Sequence, residues 1–153
     1  MPDKYWAIKD GCVLAKPSGK VQTKIEMLRK RTLGRLGSIN LENMTMVIID
    51  FNYYPEMPYT ASFFLPYSRD FDLNDGGALS TFMNKGIVGA PVKSPIYELE
   101  TCSPMLELKP NEKGCHVNRT YRLKGDEKSL DEICQRFFNI DLLTLRAFDT
   151  SSM

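Results

Sequence analysis

A single histidine among 153 residues sets the first limit on the chemistry open to this chain. His116 stands beside Cys115, but neighbours on a strand point to opposite faces, so the two form neither a catalytic dyad nor a chelate. No G-x-S-x-G, Walker-type phosphate loop or dinucleotide fingerprint occurs. Cys12, Cys102, Cys115 and Cys134 are widely spaced, without a C-x-x-C pair, and Met1-Pro2-Asp3-Lys4 does not open onto the apolar core of an export signal. Free thiols are therefore expected, and the sequon at Asn118-Arg119-Thr120 is expected to stay unglycosylated. No apolar run approaches the roughly 18 residues of a membrane helix. These absences predict a protein that is not an enzyme, with no catalytic residue, no metal, no cofactor and no membrane contact.

Two weaker patterns point the same way. Asp70, Asp72, Asn74 and Asp75 before Gly76 resemble a calcium loop, but the glycine falls one place late and Thr81 stands where a bidentate glutamate belongs. Glu98 and Glu100 form a carboxylate pair of a kind found on any protein surface, so nothing is assigned to them.

What is present is an ordinary globular composition, 42% hydrophobic and 25% charged, in a chain long enough to bury a core. The net charge is only +1, yet it is unevenly spread. Between Lys16 and Arg35 the cations Lys20, Lys24, Arg29, Lys30 and Arg31 are interrupted only by Glu26, whereas residues 42–75 are mainly acidic. A basic run of this density can contact phosphates, with Gly34 and Gly37 permitting a flexible arm. It can equally be a solvated strand edge, and opposite-sign stretches suit docking between protein copies.

The first fifty residues read as antiparallel strands. Tyr5 to Lys9 and Cys12 to Lys16 flank Asp10-Gly11, a strong hairpin turn signal. Val21 to Leu28 alternates with period two, and Met44 to Ile49 is a continuous apolar run. Further strands are expected at Thr60 to Leu65, Ile96 to Leu99, Met105 to Lys109 and His116 to Leu123, with one or two helical turns at Leu79 to Lys85. Aromatics gather at Phe51, Tyr53, Tyr54, Tyr59, Phe63, Phe64, Tyr67 and Phe71, either as a core cluster or as a folded loop shaped for a partner.

At the C-terminal end Leu130, Ile133, Cys134, Phe137 and Phe138 fall on one face of a helix. Ser129 with Glu132 reads as a capping box, Asn139 as a left-handed stop, and Asp141 as the cap of a second helix carrying Leu142, Leu143, Leu145 and Phe148. The expected core of this helical pair is Leu130, Ile133, Phe137, Leu142 and Leu145.

Tyr121 and Leu123 on a strand, the Gly125-Asp126 turn, and Leu130, Ile133 and Phe137 on the following helix resemble a LysM module, and Leu142, Leu145 and Asp149 fit its second helix. Leu130-Asp131-Glu132-Ile133-Cys134 ahead of Phe137-Phe138 is similar to the short LysM-like tail proteins of contractile phages. The likeness covers Tyr121 to Asp149, with two extra residues between Asp126 and Leu130 and no second strand before Met153. The strand at Tyr121 is therefore expected to pair with Met105 to Leu108 instead. The resemblance implies a docking surface at Gly125, Asp126, Ala147, Phe148 and Asp149.

Together these observations predict an α+β fold, mainly antiparallel β with a C-terminal helical pair in strand-helix-helix order, degenerate LysM-like. The expected division is a β-rich domain over 1–100 with an aromatic and proline-rich loop region, then a strand hairpin plus helical pair over 101–153. The resemblance implies a structural component of a phage tail or baseplate, made in the host cytoplasm, with several copies of the sister structural proteins as partners. The alternatives are a cytoplasmic nucleic-acid-binding accessory protein using Lys16 to Arg35, and a cell-wall glycan-binding module, since LysM domains bind peptidoglycan or chitin.

Overall fold

The computed structural model describes residues 5–19, 22–60, 76–84 and 96–150. Eight strands and two helices are present among them: β1 (Trp6–Lys9), β2 (Cys12–Ala15), β3 (Thr23–Leu28), β4 (Leu36–Asn40), β5 (Thr45–Phe51), β6 (Gly77–Met83), β7 (Tyr97–Thr101), β8 (Asn118–Lys124), α1 (Glu127–Phe138) and α2 (Leu142–Thr150). The fold is α+β, with antiparallel sheets and a C-terminal helical pair. The expected strand at Thr60 to Leu65, the aromatics Phe63, Phe64, Tyr67 and Phe71, and the aspartates of the calcium-like loop lie outside the described residues.

The strands form a β1-β2 hairpin and two sheets, β3-β6-β7 and β4-β5-β8. Asp10 and Gly11 both take positive φ, 49° and 80°, which turns β1 into β2 with the twist that a two-residue hairpin needs. In the second sheet β5 is central and buried on both faces, which explains its unbroken apolar run. On one face Met46 and Ile48 meet Leu130, Cys134 and Leu142 of the helices, with Ile39, Leu123, Ile133, Phe138 and Leu145 packed around them. Gly37 of β4 belongs to this contact, because a Cβ there would stand 2.7 Å from Phe138. The opposite face carries Ile49 and Phe51, beside a ring cluster in which Tyr53 lies 5.9 Å from Phe51 and 6.2 Å from the fully buried Tyr59. The described aromatics thus include a core cluster, with Tyr54 exposed at its margin.

Helix ends follow local chemistry. Asp126, not Ser129, caps α1: its side chain accepts from the Ser129 amide at 2.8 Å, so the helix begins two residues before the expected cap. Asn139 closes α1 in the left-handed region at φ 56°, and Asp141 accepts from the Thr144 amide at 2.7 Å at the start of α2.

Several expectations are corrected. Of the helical turns expected at Leu79 to Lys85, Leu79 to Met83 belong instead to β6, paired on both sides by β3 and β7, and cross-strand hydrogen bonding overrides a short helical pattern; Lys85 lies outside the described residues. Met105 to Lys109 is exposed and outside any strand, and β8 pairs with β5 rather than with it. The region around Gly34 and Gly37 is not a flexible arm: Gly34 is buried and Gly37 lies within β4. Phe137 is 37% exposed and leaves the helical core to Leu130 at 1% and Cys134 at 3%. The boundary expected at residue 100 falls inside β7, and β8 completes a sheet begun by β4 and β5.

Candidate functional site: the charged face of the first sheet

Directly paired residues of neighbouring strands share a face, so the register of β3, β6 and β7 sorts their side chains. One face holds Ile25, Met27, Leu79, Met83 and Leu99. The other aligns Lys24 with Phe82 and Glu98, and Glu26 with Ser80 and Glu100. An alternating strand buries its apolar set and directs the rest outward, yet here the outward set is not simply solvated. Ser80 is only 3% exposed, and Lys24, Glu26, Phe82 and Glu100 are half-buried.

The cluster is tied at its centre. Lys24 Nζ reaches diagonally across the sheet to Glu100 Oε2 at 2.6 Å, and the same oxygen accepts from the Ser80 hydroxyl. Glu26 Oε1 accepts from the Gly77 amide at 2.9 Å, and a Cβ at Gly77 would stand 2.0 Å from Glu26 Cγ, so this carboxylate sits where only glycine leaves room. Burial pushes the Glu100 carboxyl upward, but hydrogen bonds from Lys24 and Ser80, with the lysine charge, outweigh it and leave the group below the usual carboxylate range. Glu100 is thus an ionised acceptor at neutral pH. Cys102 follows on the same strand end, its thiol pushed up by burial and by the Glu100 and Glu26 charges.

A second polar network closes the seam between the sheets. Thr101 Oγ1 lies 3.1 Å from His116 Nε2 and accepts from Asn118 Nδ2 at 2.8 Å, while Asn52 Oδ1 accepts from the Val117 amide at 2.7 Å. Ser38 and Tyr97 join the sheets further along, hydroxyl to hydroxyl at 3.2 Å. The His116 ring is thus held by Thr101, and among the described residues no hydrogen bond joins it to Cys115. Its ring lies 5.8 Å from Phe51.

The basic run is largely occupied within the fold. Lys16 pairs with Asp149 at 2.7 Å, and Lys24 with Glu100. Arg29 donates to the carbonyls of Pro55, Glu56 and Met57, and Arg35 to the Phe137 carbonyl at 2.8 Å, where a cation suits the end of α1. Lys30 and Arg31 are exposed on a single 3₁₀ turn, and Lys20 lies outside the described residues. The residues that the LysM resemblance implied for docking are spread along the helical pair. Gly125 donates to the Met44 carbonyl, Asp126 caps α1, Phe148 is half-buried, Asp149 holds Lys16, and Ala147 is exposed. A shallow hollow of about 430 Å³ beside them is lined by Glu127, Asp131, Gln135 and Asp141, but Asp131 is engaged by the Leu142 amide and Asp141 by that of Thr144.

In the sequence, Glu98 and Glu100 carry no signal that separates them from any surface carboxylate pair. Their i, i+2 spacing on a strand does put both on one face, but the residues that complete the cluster, Lys24 and Ser80, come from strands that only the register brings alongside. Among the described residues no group of three or more histidine, cysteine or carboxylate side chains is placed to hold a metal ion, and no helix is long and apolar enough to cross a membrane.

These features define an antiparallel α+β protein with one ionic sheet face. The chain belongs to the family described as a family of unknown function (DUF6786), whose pattern matches residues 1–148. No curated protein and no solved structure matches it.

Proposed function

We propose that this protein is a saccharide-binding module whose contact surface is the charged face of β3, β6 and β7. The carrying observation is the Lys24, Ser80 and Glu100 cluster flanked by Glu26, Glu98 and Phe82. A half-buried ionic cluster is weak as a stability device, because desolvation offsets the attraction between its charges. Its chemistry suits vicinal hydroxyls: carboxylates accept from them, the ammonium donates, and the electron-rich face of Phe82 accommodates the C–H face of a sugar ring. Binding fits better than acid catalysis, since a general acid needs a carboxyl pushed upward and Glu100 is displaced downward.

The test is calorimetric titration with soluble peptidoglycan fragments and chitin oligomers, followed by a glycan array. Binding that Lys24→Ala and Phe82→Ala each weaken at least tenfold, with the fold intact, is the expected result. No binding to any saccharide, or binding untouched by both substitutions, refutes the proposal.

A structural assembly role is the second reading, with sister proteins docking on exposed apolar side chains ahead of β8, as in a virion tail. One observation favours it: Met105, Leu106, Leu108 and Val117 are exposed large apolar side chains close together in sequence. Co-purification of a partner that is lost on Leu106→Ser and Leu108→Ser together would favour this reading. Phosphate recognition through Lys16 to Arg35 fits less well, given the internal bonds of Lys16, Lys24, Arg29 and Arg35.

A further inference from the structure

We infer that β8 is the contact strand of a symmetric homodimer, pairing antiparallel with β8 of a second copy about a two-fold axis at Tyr121. Among the described residues β8 hydrogen-bonds to β5 along one side and to no strand along the other. Every residue of it except Leu123 is exposed, and at seven residues it is longer than the other edge strands of the two sheets, β3, β4 and β7. A long exposed edge offers a row of unpaired amides and carbonyls, the usual template for strand addition. The partner must be argued from the side chains.

The strand reads Asn-Arg-Thr-Tyr-Arg-Leu-Lys, and its cations Arg119, Arg122 and Lys124 oppose addition of another basic strand. Symmetric registers centred on Thr120 and on Tyr121 both remove that objection, but the first pairs only residues 118–122 and the second pairs the whole strand. The register centred on Tyr121 places Asn118 opposite Lys124, Arg119 opposite Leu123, Thr120 opposite Arg122, and Tyr121 opposite its own copy. No two cations face one another. An antiparallel pair alternates hydrogen-bonded and non-bonded pairs, so its two-fold axis falls on a residue opposite its own copy, and centring on Arg122 instead sets that cation against itself. Like charges directly opposite are destabilising and aromatic pairs stabilising, so the pattern selects this register. Tyr121 is 44% exposed in the isolated chain and would be covered by its own copy at the axis. The result is a continuous sheet of β4, β5 and β8 from each protomer, with an isologous contact.

The register carries a salt signature. Two strands bearing Arg119, Arg122 and Lys124 repel at a distance although no cations are directly opposed, and salt screens that repulsion. Sedimentation velocity on the full chain over a concentration series, at low and at high salt, is therefore expected to show a monomer–dimer equilibrium that tightens severalfold as salt rises. Tyr121→Lys brings two ammonium groups together at the axis and is expected to weaken the dimer at least tenfold while the circular dichroism spectrum is unchanged. Tyr121→Cys, treated with oxidised glutathione, is expected to yield a covalent dimer joined through the introduced thiols, identified by mass spectrometry. A wild-type chain that is monomeric up to its solubility limit overturns the inference. So does a dimer that Tyr121→Lys leaves intact, or one in which the introduced thiols never join.

Discussion

Leu130 carries more of the helix-to-sheet contact than its neighbours in sequence, since it is 1% exposed and packs with Met46 and Ile48 of the central strand. Removing its side chain leaves a cavity that the sheet cannot close, so Leu130→Ala is expected to cost about 2 to 5 kcal/mol in urea unfolding. Phe137→Ala should cost about 1 kcal/mol or less, although the same apolar pattern contains both residues. The pattern was legible, but its exact buried line was not: the sheet meets Leu130, Cys134 and Phe138 at i, i+4 and i+8, with Phe138 over Gly37, and Phe137 falls to the side. The thiols also separate at this scale. Burial, reinforced by Asp131, pushes the Cys134 thiol up to about 11, and burial also raises Cys12 and Cys102, while Cys115 is exposed. Iodoacetamide at pH 8 followed by peptide mass spectrometry should label Cys115 first and Cys134 last. Labelling of Cys134 ahead of Cys115 would contradict this packing.

At the scale of elements, the strands read best where one face dominates. The β1-β2 hairpin and β5 were legible from a turn signal and an apolar run, whereas β6 read as a helix because Leu79, Phe82 and Met83 have helical spacing and no sequence signal announces strands on both sides. The ionic face was hidden for the same reason, its partners being 20 and 76 residues apart in the chain. Gly77→Ala should displace Glu26, whose Cγ would meet the new methyl at 2.0 Å, and cost about 1 to 3 kcal/mol by overpacking. Glu100 gives this sheet a pH dependence. Its carboxyl is lower in the fold than in the unfolded chain, so the unfolded chain binds the proton more tightly. The stabilisation is present above the ordinary glutamate value of about 4.3 and is lost as pH falls through the lower folded value. Thermal melts between pH 6 and 3 should show a smaller acid loss for Glu100→Gln than for the wild type. Equal losses would mean that the Lys24 bond contributes nothing.

Across the whole molecule, the C-terminal helices are not an appendage. They cover Met46 and Ile48, while the N-terminal hairpin reaches them through the Cys12 thiol on the Phe138 carbonyl at 2.8 Å and Lys16 on Asp149 at 2.7 Å. Chain ends that meet in this way make the two expected domains one packing problem, a relation that local patterning along the sequence cannot display. Deleting Lys128 to Met153 should therefore do more than remove a docking element. It should uncover the apolar face of β4, β5 and β8, abolish a cooperative thermal transition and produce strong binding of a hydrophobic dye. A truncated chain that still melts cooperatively, with no dye binding, would show that the sheets hold together without the helices and would return the C-terminal end to the status of a separable module.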